Sequence, residues 1–211
     1  VNEFEEPAVC IIKHNNPCGV AVAENLKKAY LDALECDPLS AFGGIVGLNK
    51  IVDRETAEEI YNFEFTECII APGYEKEALA ILKKKKNLRI MELPFSTQPS
   101  TVSEWDMKKI SGGILVQERD TLNVKEDELK IVTEKKPTPQ QIKSLLFGDK
   151  VVKHVKSNAI VITQGTKTVG IGMGQTSRVD SVIIALKRAG ERAKGACLAS
   201  DAFFPKPDGI E

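Results

Sequence analysis

The sequence carries almost no excess charge: 29 Lys and Arg against 30 Asp and Glu, a formal net charge of −1. That balance excludes a global basic field able to gather nucleic acid or an anionic membrane, so any anionic substrate must be held by local groups. Nowhere does an apolar run approach the roughly 20 residues that a membrane helix needs. The opening residues Val1 to Glu6 lack the basic-then-apolar pattern of a signal peptide. They also lack an initiator Met, which predicts a trimmed or internal segment. Cysteine is scarce, with five in 211 residues, an odd number and no C-x-x-C pair. This usage predicts reduced thiols and a cytoplasmic protein, with Cys10, Cys36, Cys68 and Cys197 as small buried apolar residues. Histidine is scarcer still, with His14 and His154 alone.

What is present is the composition of an ordinary globular protein, 42% hydrophobic and 28% charged. The length suits one large domain or two small ones. Ala8 to Ile12 is a continuous apolar run, which predicts a buried strand, followed by a turn holding Pro17 and Gly19. Helical spacing runs from Asn25 to Cys36, a second strand over Gly44 to Leu48, and a helix capped by Asp53 to about Phe63. A strand at Cys68 to Ala71, a helix from Glu75 to Lys86 and a strand at Leu88 to Leu93 follow. This alternation predicts an α/β fold with a mainly parallel sheet.

Pro94 to Ser103 reads as a surface connection, Ser111 to Gln117 as one strand, and residues 120–136 as a linker. Thr138-Pro139-Gln140-Gln141 opens a helix with an N-cap, Pro at the first position and Gln at the third. That helix runs to about Lys156, interrupted near Gly148. Ala159 to Ile162 and Thr168 to Ile171 read as a hairpin. A helix from Arg178 to Ala193 and a strand at Ala196 to Ala199 complete the pattern. The polar residues after that strand predict a premature C-terminus.

Sites in α/β sheets gather at the C-terminal ends of strands, and three polar clusters fall there. In Lys13-His14-Asn15-Asn16-Pro17-Cys18-Gly19, two cations emerge from a buried strand, where desolvation and mutual repulsion should lower both pKa values. Such a pair could act as a general base and an oxyanion partner; spacing alone equally allows a turn with two solvated cations. Asp37-Pro38-Leu39-Ser40-Ala41-Phe42-Gly43-Gly44 either lets backbone approach a ligand closely or makes a tight turn. Gly170-Ile171-Gly172-Met173-Gly174 before Arg178 superficially resembles a nucleotide loop but matches no standard spacing. Free amides there with Arg178 would suit a phosphate; Arg178 as a surface cation is the alternative. Asn16-Pro17-Cys18 is similar to the Pro-Cys of zinc deaminases. The His-x-Glu and second Cys of those enzymes are missing, so no zinc is expected. His154 and Lys83 to Lys86 read as solvated surface.

Four strings taken together carry a resemblance. They are Ile12 to Ala21, Asp37 to Val46, Lys156 to Val161 with Gly170 to Asp180, and Ala199 to Pro205. They resemble the AICAR transformylase domain of the bifunctional AICAR transformylase/IMP cyclohydrolase family, over essentially the whole chain. The resemblance implies two tandem cytidine-deaminase-like three-layer α/β/α subdomains without zinc. Residues 1–130 would form the first, truncated at its start, and 131–211 the second, truncated at its end. It implies formyl transfer from 10-formyltetrahydrofolate to the 5-amino group of AICAR, giving FAICAR and tetrahydrofolate in purine biosynthesis. It places IMP cyclohydrolase in a missing N-terminal domain, and implies a cytoplasmic homodimer with active sites at the interface.

Carried over by residue, His14 would take the amine proton, and Lys13 would stabilise the oxyanion or assist the folate nitrogen. Asn158, Arg178, Phe42, Phe203, Asn16 and Gly43 would contact AICAR, and Glu67 the folate. Ser157 and Asp201 lie in segments tied to a monovalent cation in some members. After Phe203-Phe204-Pro205 the sequence departs from the family's Phe-Arg-Asp with Lys206-Pro207-Asp208. The competing reading is a truncated or degenerate AICAR- or folate-binding module without activity.

Overall fold

Ala8–Lys13 (β1) and Asn16–Val22 (β2) pair as an antiparallel hairpin, so the expected turn around Pro17 and Gly19 is a strand. The computed structural model of the chain describes residues 1–94 and 105–210. The turn is instead the two residues His14 and Asn15, at φ +52° and +64°. Two successive left-handed residues form the hairpin loop whose twist matches its strands. Pro17 is accommodated because the register shifts between Ile11 and Ile12. Gly19 is demanded from the other side: a Cβ there would lie 1.8 Å from the Ala33 carbonyl oxygen.

Leu26–Cys36 (α1) and the short helix Pro38–Ala41 (α2) lead to Gly44–Leu48 (β3). Arg54–Asn62 (α3), Thr66–Ala71 (β4), Lys76–Leu82 (α4) and Arg89–Glu92 (β5) follow. Trp105–Ile110 (β6) and Gly113–Glu118 (β7) pair as a separate two-stranded sheet. The single strand expected over Ser111 to Gln117 is therefore the turn and second arm of a hairpin. The stretch from 95 to 103, expected as a connection, lies outside the described residues. Residues 120–136 hold only a short 3-10 turn at Glu126–Glu128.

Pro139–Val152 (α5) runs unbroken through Gly148, capped by the expected Thr138–Gln141 box. Gly148 is a packing residue, since a Cβ there would come within 3.0 Å of the Ala199 Cβ. Ile160–Gln164 (β8), Lys167–Gly172 (β9), Arg178–Ala189 (α6) and Cys197–Ser200 (β10) complete the chain.

The main sheet has eight strands in the order β10-β8-β9-β2-β1-β3-β4-β5. It is mixed rather than mainly parallel. Only β3, β4 and β5, joined through α3 and α4, run parallel; the tight hairpins force their strands antiparallel. Helices α1, α3 and α4 share one core with β1, β3 and β4, built on Tyr30, Ala33, Ile60, Leu82, Val9, Leu48 and Ile69. On β8 the alternation of side chains puts Ile160 and Ile162 against α6, and Val161 against Phe147 and Val151 of α5. No helix of the described residues is long and apolar enough to cross a membrane.

One unit, hairpin then helix then strand, occurs twice. In β1-β2-α1-β3 and in β8-β9-α6-β10, the first strand pairs antiparallel with both its hairpin mate and the last strand. In both, glycine on the second hairpin strand admits the helix backbone: Gly19 under α1, Gly170 and Gly172 under α6. The units meet where β2 lies antiparallel to β9, so equivalent strands form the seam. Strands from both sides of residue 130 thus share one sheet.

That seam has a single paired position, Ala21 with Lys167. Beside it the Val22 amide donates to the Thr166 carbonyl at 2.9 Å, and side chains add further bonds. The Val20 amide donates to Thr168 Oγ1 at 3.0 Å, and that hydroxyl donates to the Val20 carbonyl at 3.2 Å. Thr166 does the same for the Val22 carbonyl at 2.8 Å. Thr168 is fully buried, so Thr168→Val leaves the Val20 amide without its acceptor and out of reach of water. It should destabilise the fold by about 1–3 kcal/mol, while Thr168→Ser keeps most of that stability. Urea unfolding of the two variants checks this, and equal midpoints would refute the role of the hydroxyl.

Candidate functional site

The β1–β2 turn, the approach to β8, and the exits of β9 and β10 meet at one edge of the sheet. Two groups of side chains assemble there. The first is built on the turn. The Lys13 ammonium donates to the Phe42 carbonyl. Gly43, at φ +68°, leaves the slot for it, because a Cβ at Gly43 would lie 3.2 Å from both Lys13 Nζ and the Phe65 ring. The Gly43 amide donates to the Phe65 carbonyl at 2.8 Å, and the Phe42 and Phe65 rings stand 5.4 Å apart. Asp37 caps α2 through Ser40 and, with Pro38 at the first helical position, sets this loop. His14 sits at the tip of the turn, exposed, and its imidazole makes no hydrogen bond to the described residues. Cys18 is buried, its thiol directed at the Ile11 carbonyl at 3.3 Å. Burial pushes it up to about 12, so Cys18 serves the core and not as a nucleophile.

The second group is built on Asp201. Its carboxylate accepts from Arg178 Nη1 at 2.5 Å, from the Ala159 amide at 2.9 Å, and from the Ser157 hydroxyl. Arg178 also donates to Ser200 Oγ and to Asn158 Oδ1, both at 2.8 Å. The Asn158 amide nitrogen donates to the Gln175 and Thr176 carbonyls at 2.9 and 3.2 Å. Burial raises the Asp201 carboxyl, but the bonds from Ser157, Arg178 and Ala159 outweigh it and hold the carboxyl below its ordinary value. Ser157 bonds Asp201, and Asp201 in turn bonds Arg178. Asn16 joins the two groups: its Oδ1 accepts from the Lys156 amide at 2.9 Å.

The structure therefore brings Lys13, His14, Asn16, Phe42 and Gly43 to the same edge as Ser157, Asn158, Arg178 and Asp201. Glu67 follows Thr66, the β4 partner of Gly44, and is ion-paired with Arg89. Phe203 is 81% exposed. Gly170 and Gly172 sit inside β9, where a Cβ would lie 2.2 Å from the Ala185 and 1.9 Å from the Ser181 carbonyl oxygen. The loop-like Gly-x-Gly spacing has this steric cause and not an anion cradle. Sequence reasoning missed Phe65, Ser200 and Arg89. Phe65 and Arg89 act across strand neighbours, which no local pattern reveals; Ser200 is the sequence neighbour of Asp201.

A carboxyl held low stabilises the fold above its unfolded pKa, and that contribution disappears as pH falls through the folded value. Asp201→Asn keeps an acceptor for the Ala159 amide but loses the charge facing Arg178. Its urea midpoint should fall below wild type at pH 7, with the gap closing below about pH 3.9. A gap that stays constant down to the lowest workable pH would refute the charge interaction.

A family model described as the AICARFT/IMPCHase bienzyme matches residues 1–188. The bifunctional purine biosynthesis protein PurH of Thermoanaerobacter sp. (strain X514) is 54% identical over 211 residues, covering all of this chain and 41% of that protein. The PurH of Acetivibrio thermocellus is 50% identical over 211 residues, again covering 41% of the relative. The PurH of Listeria monocytogenes serotype 4b (strain F2365) is 50% identical over 210 residues, 40% of its length. The chain thus spans about two-fifths of these relatives. With a family model over most of its length and these relatives over all of it, the chain belongs to the AICARFT/IMPCHase bienzyme family.

Proposed function

We propose that this chain contributes the formyl-transfer site of a purine-biosynthesis enzyme. In this reading the formyl group of 10-formyltetrahydrofolate passes to the 5-amino group of AICAR, giving FAICAR and tetrahydrofolate. The observation that carries it is the convergence of the Lys13–Asn16 turn with Asn158, Arg178 and Asp201 at one sheet edge, tied by the Asn16–Lys156 bond. A base, an oxyanion partner and a fixed guanidinium are the parts acyl transfer to an amine requires.

In the reaction so read, the amine nitrogen attacks the formyl carbon. His14, exposed and without a hydrogen-bond partner among the described residues, takes the amine proton. Lys13 stabilises the oxyanion of the tetrahedral intermediate or assists proton delivery to the folate nitrogen as that carbon–nitrogen bond breaks. Arg178 and Asn158 hold AICAR, with Phe42 and Phe203 against its ring and Asn16 and Gly43 beside them. Glu67 meets the folate. Asn158 is engaged on both ends of its amide, so its contact with substrate uses the remaining lone pair of Oδ1 or exchanges one bond.

The same reading takes the repeated hairpin–helix–strand unit as two cytidine-deaminase-like subdomains, 1–130 and 131–211. It places the protein in the cytoplasm as a homodimer. The duplicated strand pairing and the glycine contacts of Gly19 and Gly170 support the two-copy fold.

His14→Asn tests the chemistry with little backbone cost, since Asn tolerates the left-handed φ of that turn. Measured on the full-length protein, kcat should fall by about 10²–10⁴, with AICAR still bound in calorimetry. Turnover within about threefold of wild type would sink the role of His14. AICAR binding without formyl transfer in the wild-type protein would sink the reaction itself and favour a binding module.

A further inference from the structure

Helix α6 bears on both polar groups of the site. Its first residue, Arg178, belongs to the second group, where Ser200, Asp201 and Asn158 fix the guanidinium. Arg188 lies on the same helix, about 15 Å further along its axis at roughly 1.5 Å per residue. Its Nε pairs with Asp37 Oδ2 at 3.1 Å, and its Nη1 donates to the Ile171 carbonyl of β9 at 2.8 Å. Between these two points the helix is seated on β9, where Gly170 and Gly172 admit the Ala185 and Ser181 carbonyls. It is a strut of fixed length from Arg178 to Asp37.

What Arg188 holds is a piece of chain too short to hold itself. Helix α2 is a single turn of four residues, and one turn fixes more dihedrals than its own bonds repay. Asp37 supplies the order. Its Oδ1 accepts from the Ser40 amide at 3.0 Å, its Oδ2 from the Ser40 hydroxyl at 2.7 Å, and its backbone carbonyl from the Ala41 amide at 3.1 Å. Asp37 is only 9% exposed, so its carboxylate has little water to stabilise its charge and takes a guanidinium instead. Phe42 follows as the C-cap of α2, and its carbonyl receives the Lys13 ammonium. The place of the α2 turn therefore sets the place of that ammonium. The neighbouring Arg192 bonds the Glu35 and Cys36 carbonyls that end α1, whereas Arg188 bonds the carboxylate that begins α2.

We propose that Asp37 and Arg188 are a positioning pair for the reaction. Through the α2 turn and the Phe42 carbonyl, α6 holds the Lys13 ammonium at a fixed separation from the Arg178 guanidinium. The inference rests on the formyl-transfer reading above, in which Lys13 serves the reacting centre while Arg178 holds AICAR. It adds to that reading two residues that act through Lys13.

Steady-state kinetics, AICAR calorimetry and urea unfolding of the full-length protein test it together. Arg188→Met keeps the aliphatic stem and removes the charge. Asp37→Asn keeps the cap, which Asn makes as well as Asp, and it decides the matter alone where Arg188→Met does not fold. Each should lower kcat by roughly ten- to a hundredfold, since misplacing a reacting group by about 1 Å costs up to about 10²-fold. The AICAR dissociation constant should stay within about threefold of wild type, because Arg178 and Asn158 keep their own partners. The double variant should be no slower than the slower single one, since both changes break the same link. A lower urea midpoint with wild-type kcat in the folded protein makes the pair structural alone and overturns the inference. Losses in kcat that multiply in the double variant, or AICAR affinity lost in step with kcat, overturn it as well. A wild-type protein that transfers no formyl group overturns the reading and the inference with it. A wild-type protein that does so, beside folded variants equally fast, overturns the inference alone.

Discussion

Ala21 and Lys167 form the single paired position between two halves of an eight-stranded sheet, and every contact between the two polar groups of the site depends on that seam holding. A sheet joined by so few rungs must be secured by other means. Buried hydroxyls do part of this, with Thr168 serving both backbone groups of Val20. Cations do the rest. Helix α1 has no basic residue in its last turn, so the negative end of its dipole is neutralised from the other half of the chain. Lys167 pairs with Asp32 and Glu35, Arg188 with Asp37, and Arg192 donates to the Glu35 and Cys36 carbonyls. The seam is therefore clamped at the helix layer as well as in the sheet, and the Lys13 turn is held to the strands that carry Asn158 and Arg178.

The duplicated unit explains why the two ends of the seam are chemically different. At equivalent places, just past β3 and just past β10, stand Asn49 and Asp201. Asn49 Oδ1 accepts from the Ala8 amide at 2.8 Å, and Asp201 Oδ1 from the Ala159 amide at 2.9 Å. Both side chains fasten the first strand of their unit. The neutral amide spends its remaining donors on the Phe4 and Glu6 carbonyls. The carboxylate instead has charge left for Arg178, and through Arg178 it reaches Asn158. One structural bond, made twice, is extended into a fixed guanidinium on one edge alone.

Much of the fold was legible in the residues. Apolar runs gave β1, β3, β4 and β8; Asp53 and Thr138 marked helix starts because a cap is a bond within three residues. The misreadings share one cause. Pro17 and Gly19 look like turn residues, yet Gly19 is there for the Ala33 carbonyl and Pro17 for a register shift. Gly148, Gly170 and Gly172 likewise answer to neighbours distant in sequence. A glycine records that space is short without recording what fills it.

The sequence by itself determined the local pieces: which segments extend, which coil, where helices are capped, and which strings carry polar groups at strand ends. It also carried the family, since identity over the whole length needs no geometry. Only the tertiary structure decided the strand order and the antiparallel hairpin beneath the Lys13 turn. It alone decided that Asp201 holds Arg178, that Phe65 backs Phe42, and that Arg188 reaches Asp37. Those facts rest on pairings between residues tens of positions apart. Such pairings are chosen by the joint packing of all the elements, and no window of the chain contains that information.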